Sequence, residues 1–246
     1  MQNVEIPKMS NNANMTVDEA RALVSDQALW PLVRDFLWDF APQIHRSWLE
    51  GAGMPEHIEN PDRLEKLFAS PRVKAHVLSV LGVSPCFHAF PKGDWSRLVL
   101  LDGAMLESIA KWLGALACAD SLRRVTEGAV VRALKADLPG IYPEVFGFTA
   151  YFAKIGFLRR DTGPQGEESQ DAGGRPSIAE DVVSYGLSAI GLLLADAPPF
   201  LVDRLRFKLP RNICASAAPR LEKETCGTAV AKLLKLRFPE AYKLCC

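Results

Sequence analysis

The sequence predicts a mainly α-helical fold, a compact multi-helix domain with one long exposed loop, and three observations carry that expectation. Apolar residues recur at i, i+3, i+4 and i+7 in one segment after another. Proline and glycine punctuate these segments, and Asn60-Pro61 and Ser70-Pro71 pair a capping residue with a proline at the first helical position. The composition, 246 residues with 48% apolar and 24% charged, is that of a soluble globular domain able to bury a core without disulfides. Only Leu98–Leu101, an apolar run too short to type, leaves room for a minor short strand.

Residues 1–15 are polar and aperiodic and read as a flexible N-terminal tail, leaving a single helical domain over 16–246. Order is expected from Thr16, whose hydroxyl can form a capping box with Glu19. The next helix carries the stripe Leu29, Leu32, Val33, Phe36, Leu37 and Phe40 and ends before Pro42. Short helices follow Pro61 and Pro71. From Gly103 the helical signal is strong, with Met105, Ile109, Trp112, Leu113 and Leu116 on one side and Glu107 paired with Lys111 on the other. The small residues Gly114, Ala115, Ala117, Cys118 and Ala119 point to a close approach of another helix.

One further helix is expected over Leu122–Leu138, stopped by Pro139-Gly140, and another from Pro143 through Phe157. Residues 161–176 are rich in glycine, proline and acids without an apolar side chain to hold them, so they read as a flexible exposed loop. Ser177 and Glu180 form a second capping box, opening an apolar helix. Its longest nearly uncharged stretch, Val182 to Ala195, is 14 residues, short of the ~20 that span a bilayer. A short helix over Phe200–Lys208 stops at Pro210, and a last one covers Glu222–Leu236.

Lys and Arg number 29, as do Asp and Glu, so the formal net charge is zero and no global field attracts nucleic acid or anionic lipid. The first residues have no basic segment followed by an apolar one, so no secretory leader is expected. The six cysteines, Cys86, Cys118, Cys214, Cys226, Cys245 and Cys246, are then reduced thiols in a cytoplasm. Neither a G-x-x-x-x-G-K-[ST] phosphate loop nor G-x-G-x-x-G occurs, and His45, His57, His76 and His88 lack metal-binding spacing. No catalytic residue, cofactor or metal site is therefore expected.

Cys86 and His88 could bring a thiolate and an imidazole together, but the spacing matches no ligand pattern. Cys245-Cys246 reads either as a redox or acylation site or as two ordinary thiols on a frayed end. Trp30, Trp38, Trp48, Trp95 and Trp112 mostly fall on apolar faces and read as core; an exposed one would mark an interface.

Three runs carry a resemblance: R-L-V-L-L-D-G from Arg97, W-L-G-A-L-A from Trp112, and L-R-R-V-T-E-G-A-V-V-R-A-L-K-A-D-L-P-G from Leu122, with Tyr142 and Phe146 following. Together with P-P-F-L-V-D-R-L-R-F-K-L-P at Pro198–Pro210, they resemble the SctK family, the YscK-like proteins of bacterial type III secretion systems, over residues 95–210. The resemblance implies a non-enzymatic cytoplasmic adaptor of the sorting platform that links the cytoplasmic domain of the SctD-type inner-membrane ring protein to SctQ-type pods. It implies no nucleic-acid partner and reaches the membrane only through those proteins. Two other classes stay open. A helix-turn-helix DNA-binding regulator could use Arg123, Arg124, Arg132 and Lys135, although such domains are usually clearly basic. A small helical enzyme without a recognisable motif is the other.

A docking face can be placed on the expected Leu122–Leu138 helix. At 100° per residue, Leu122, Val125, Ala129, Val130 and Ala133 gather on one side, with Arg124, Arg132 and Lys135 in a sector of about 80° opposite. Gly128 lies in the same sector, where it would let another backbone approach between the cations. An acidic partner surface suits that face.

Overall fold

In the computed structural model, residues 26–50, 61–83, 88–157, 178–211 and 222–246 are described. The 1–15 tail, the Thr16–Glu19 box, the 161–176 loop and the Ser177 cap lie outside them. The described residues form helices and no strand. In chain order the α-helices are α1 (Leu29–Trp38), α2 (Arg46–Leu49), α3 (Pro61–Phe68), α4 (Pro71–Val80), α5 (Gly103–Ala117) and α6 (Ala119–Arg124). They continue as α7 (Gly128–Asp137), α8 (Ile141–Lys154), α9 (Ile178–Leu193), α10 (Pro199–Phe207), α11 (Lys223–Arg237) and α12 (Pro239–Cys245). Two 3-10 helices, Ala41–Gln43 and Trp95–Leu100, join them.

Local chemistry accounts for most boundaries. The Asp26 carboxylate accepts the amides of Ala28 and Leu29 at the start of α1. Asp102 accepts the Met105 amide at 2.7 Å and starts α5, while Gly140, at φ 73°, supplies the left-handed turn into α8. Helices α3 and α4 begin at prolines as expected, although the Ser70 side chain makes no capping bond. The strand allowed at Leu98–Leu101 is instead the end of a 3-10 helix. Asp94 accepts both the amide and the hydroxyl proton of Ser96, which winds the chain at its start, and Leu98, Val99, Leu100 and Leu101 are all buried rather than alternating. Sequence reading missed α12, a seven-residue helix with Pro239 at its first position.

The core is organised around α5, which packs on α6, α8, α9 and α11 and is buried almost all round from Trp112 to Ala117. Its closest neighbour is α9, and the approach is set by backbone rather than side chains. A Cβ placed on Gly114 would lie 1.7 Å from the Val182 carbonyl oxygen, and one on Gly186 would lie 1.8 Å from that of Ala110. Ala110 and Gly114 are one helical turn apart, as are Val182 and Gly186, so each helix offers a glycine to the other's carbonyl. The close approach expected from the small residues of α5 is realised at Gly114. On the outer side of α5, Lys111 and Glu107 form the expected pair at 2.8 Å.

A second seam joins α10 to the elements that precede α5. Arg204 and Lys208, both on the α10 side and both buried, direct their donors at backbone carbonyls. Arg204 donates to the carbonyls of Phe36 and Leu37 at the end of α1 and lies over the rings of Phe36 and Phe40. Lys208 Nζ donates to the carbonyls of Val99 and Leu101 at 2.7 and 2.8 Å and lies 5.1 Å from the Phe36 ring centre. Burial pushes the Lys208 ammonium down to about 7, opposed by Asp102 and reinforced by Arg204. Nearby, the His45 amide donates to the Phe207 carbonyl and the Trp48 indole to that of Leu209, both across to α10 and its end.

Two predictions follow from these contacts. Gly114→Ala or Gly186→Ala must push two backbones apart and should lose about 1–3 kcal/mol in urea unfolding. Gly147→Ala, where a Cβ meets nothing within 4 Å, should instead gain about 0.5–1 kcal/mol. Equal effects at the two kinds of position would contradict the backbone-contact account. For Lys208 the unfolded chain holds the proton up to about 10.5 and the folded one releases it near 7, so the unfolded state binds more protons between those values. Stability should therefore rise with pH from about 7 towards 10.5, by at most about 1.4 kcal/mol per unit from this group. Lys208→Met should remove that rise, and a slope unchanged in the variant would show that another group is responsible.

Candidate docking surface

Leu122 anchors α6 in the core and Leu134 anchors α7, each fully buried. Between them the chain does not stay helical. Val125 is extended at φ −72°, ψ 109°, Glu127 is extended as the residue preceding α7, and Val125–Glu127 form a three-residue break. The single helix expected over Leu122–Leu138 is therefore two helices, because two separate core anchors hold its halves and the β-branched pair Val125-Thr126 lies between them. Arg124 closes α6, so helical periodicity no longer aligns it with Arg132 and Lys135.

Within α7, Gly128, Arg132 and Lys135 stand at i, i+4 and i+7 and are exposed on one face. The inner side differs from the expected one. Leu134 is buried and Val130 and Val131 are half-buried, but Ala129 and Ala133 are exposed; packing on α8 and α9 selects the larger side chains. Gly128 is the first residue of α7 rather than an interior one, so it carries no interior helix penalty. A Cβ there would meet only Arg132 Nη1, at 3.8 Å, which leaves the position open to another molecule.

The cations at this end of the molecule divide into two kinds. Arg123 is used internally: Nη2 donates to Thr149 Oγ1 at 2.6 Å, and the guanidinium lies 5.4 Å from the Phe146 ring centre. Arg124 is exposed and engaged in a further interaction. Arg132 and Lys135 have no ion-pair partner among the described residues, so their charge is available to a partner.

Among the described residues, the other sequence candidates lie apart from one another. Cys86 lies outside the described residues, while His88 is largely covered, 3.8 Å from Asp94 and edge-on to Phe90, with burial lowering its affinity for a proton. The vicinal cysteines part company: Cys245 is buried on α12 with burial pushing its thiol up to about 12, and Cys246 is exposed. The frayed-end reading fails because α12 packs on α11 and on the Trp95–Leu100 helix. Cys226, also pushed up to about 12, donates to the Ala189 carbonyl.

A cleft of about 810 Å³ opens between α1, the Trp95–Leu100 helix, the start of α5 and α12. Its carboxylates are already employed: Asp26 and Asp102 cap helices, Asp35 pairs with Arg34, and Glu240 with Lys243. Among the described residues no group of three or more His, Cys, Asp or Glu could hold a metal, and no helix is long and apolar enough to cross a membrane.

Sequence reading missed a second exposed feature, where α8 meets α11. Arg237 pairs with Glu144 and lies over the rings of Trp112 and Phe148, 4.6 and 5.0 Å from their centres. Lys232 Nζ sits 4.7 Å from the ring centre of the exposed Tyr151. The signal was present in the sequence as two segments without acids, Val145–Phe157 and Thr225–Pro239. Of the tryptophans, Trp38 is the exposed one, 48% accessible and edge-on to Trp30.

A family model described as YOP proteins translocation protein K (YscK) matches residues 39–245. The match extends in both directions beyond the 95–210 span on which the resemblance rested, taking in every described helix from α2 to α12. No curated protein and no solved structure matches the chain. With far more than half of its length inside the model, the chain belongs to the YscK family of type III secretion proteins.

Proposed function

We propose that this protein is a non-enzymatic cytoplasmic adaptor of the type III secretion sorting platform. It links the cytoplasmic domain of an SctD-type inner-membrane ring protein to an SctQ-type pod protein and lies peripheral to the inner membrane through these partners. Membership of the YscK family supports the secretion role. The observation that carries the adaptor reading is the outer face of α7, where Gly128, Arg132 and Lys135 present unspent positive charge around an open backbone position. Arg124, at the end of α6, adds a further exposed cation. An acidic surface of the ring protein or the pod would complement that face and fix the register of docking.

The test is a combined reversal, Arg124→Glu, Arg132→Glu and Lys135→Glu. Co-purification with the docked partner should fall at least about tenfold at low salt, as expected for loss of charge complementarity. Stability should change by no more than about 1 kcal/mol, since the positions are exposed and the last turns of α6 and α7 each lose one favourable charge. Binding unchanged at low salt to both the ring and the pod protein would place the docking surface elsewhere.

A further inference from the structure

The seam between α8 and α11 carries a second charge imbalance, separate from the α7 face. Val145–Phe157 and Thr225–Pro239 contain no Asp or Glu, yet they hold Lys154, Lys232, Lys235 and Arg237. Glu144, just before the first segment, is taken by Arg237. Lys232 and Lys235 have no ion-pair partner among the described residues; their ammonium groups rest near aromatic rings instead, Lys232 on Tyr151 and Lys235 at 5.9 Å from the centre of Tyr242. Leu236, one turn after Lys232 on the same helix, is 46% exposed, and Tyr151 is 39% exposed. Two exposed apolar groups, Tyr151 and Leu236, thus accompany lysines that have no ion-pair partner among the described residues.

We propose that this seam is a docking site for an acidic segment of a protein partner that carries an apolar side chain. The apolar group would cover Leu236 and the Tyr151 ring, and its carboxylates would meet Lys232 and Lys235. Burying an aromatic and a leucine at the centre with charges on the rim is the usual build of a protein interface. Anionic membrane surfaces are recruited by clusters of about 4–8 cations, and here one of four is already paired. Duplex nucleic acid draws on many phosphate contacts, which a chain of zero net charge with three lysines at this seam does not supply. The inference does not depend on the identity of the partners proposed for the α7 face. It adds the second surface that any bridging protein must have.

The full chain should be titrated by fluorescence anisotropy at low salt with a labelled Glu-rich peptide containing a central Leu-Phe pair. The same peptide with Gln for Glu, vesicles containing phosphatidylserine, and duplex DNA serve as the other probes. The Glu peptide should bind at least about tenfold tighter than the Gln peptide, as charge complementarity requires. Lys232→Glu with Lys235→Glu should remove that advantage, and Leu236→Ala should weaken binding about fivefold while leaving its salt dependence in place. Arg132→Glu with Lys135→Glu should leave peptide binding unchanged, which keeps this result distinct from failure of the α7 reading. Equal binding of both peptides, an unaffected Lys232/Lys235 variant, or tighter binding of vesicles or DNA would overturn the proposal. Because Lys232 and Lys235 face rings rather than carboxylates, Lys232→Gln with Lys235→Gln gives a milder second variant, which should lose affinity while far-UV circular dichroism stays constant.

Discussion

The fold depends on one contact between two backbones. Helices are normally held apart by their side chains at 8–10 Å, and α5 and α9 come together because the obstructing Cβ is absent at Gly114 and Gly186. The spacing is reciprocal, carbonyl of Ala110 to Gly186 and carbonyl of Val182 to Gly114, so the crossing has a fixed register as well as a fixed distance. Once α5 is locked against α9, its remaining sides are covered by α8, α11 and α6, and little of it reaches water beyond the Glu107–Lys111 edge. Gly103, at the start of the same helix, repeats the device: a Cβ there would lie 2.4 Å from the Lys208 carbonyl oxygen. The central helix is thus positioned at both ends by what glycine leaves out.

The second constraint is electrostatic and lies at helix ends. The last carbonyls of a helix have no partner within it, and burying them without one costs about 1–3 kcal/mol each. Here Arg204 serves the end of α1, and Lys208 serves the end of the Trp95–Leu100 helix. These two side chains come from the run P-P-F-L-V-D-R-L-R-F-K-L-P, and the carbonyls served by Lys208 come from R-L-V-L-L-D-G, about a hundred residues earlier. Two of the segments that suggested the family are therefore the two halves of one buried seam. Their residue types are constrained by packing, which explains why they carried no catalytic signature.

Much of this was legible in sequence because it obeys local rules. The stripe from Leu29 to Leu37 buries Leu29, Val33, Phe36 and Leu37; the proline starts of α3 and α4 fall at Pro61 and Pro71; the small residues of α5 mark a crossing. The misses share a cause. Periodicity runs smoothly through Val125–Glu127, and only the separate burial of Leu122 and Leu134 shows where the helix breaks. Ala129 and Ala133 count as apolar in a helical wheel, but a methyl group gains too little from burial to compete with Val130, Val131 and Leu134 for the inner side. The run Leu98–Leu101 could not be typed, because four consecutive buried residues fit a strand or a tight helix, and the Asp94 cap four residues earlier decides between them. The seam at α8 and α11 is assembled from positions some eighty residues apart and has no sequence period at all.

What separates structural cations from candidate docking cations is whether their charge is spent inside the chain. Arg97 donates to the carbonyls of Phe90 and Leu244, Arg123 to Thr149, Arg204 to α1, and Lys208 to the 3-10 helix; each ties together elements distant in sequence. Removing any of them should be felt as lost stability, because buried acceptors would be left without a donor. Arg132 and Lys135 on α7, and Lys232 and Lys235 on α11, satisfy no such acceptor. A long cationic side chain that neither pairs nor caps contributes little to its own fold, so its place in the sequence is left to solubility or to a partner. The two groups sit on different helices, and both are accompanied by a feature that admits contact: an open glycine in one case, an exposed tyrosine and leucine in the other. On the proposed reading, a chain with balanced net charge keeps its recognition local, confined to small areas where the internal balance is not met.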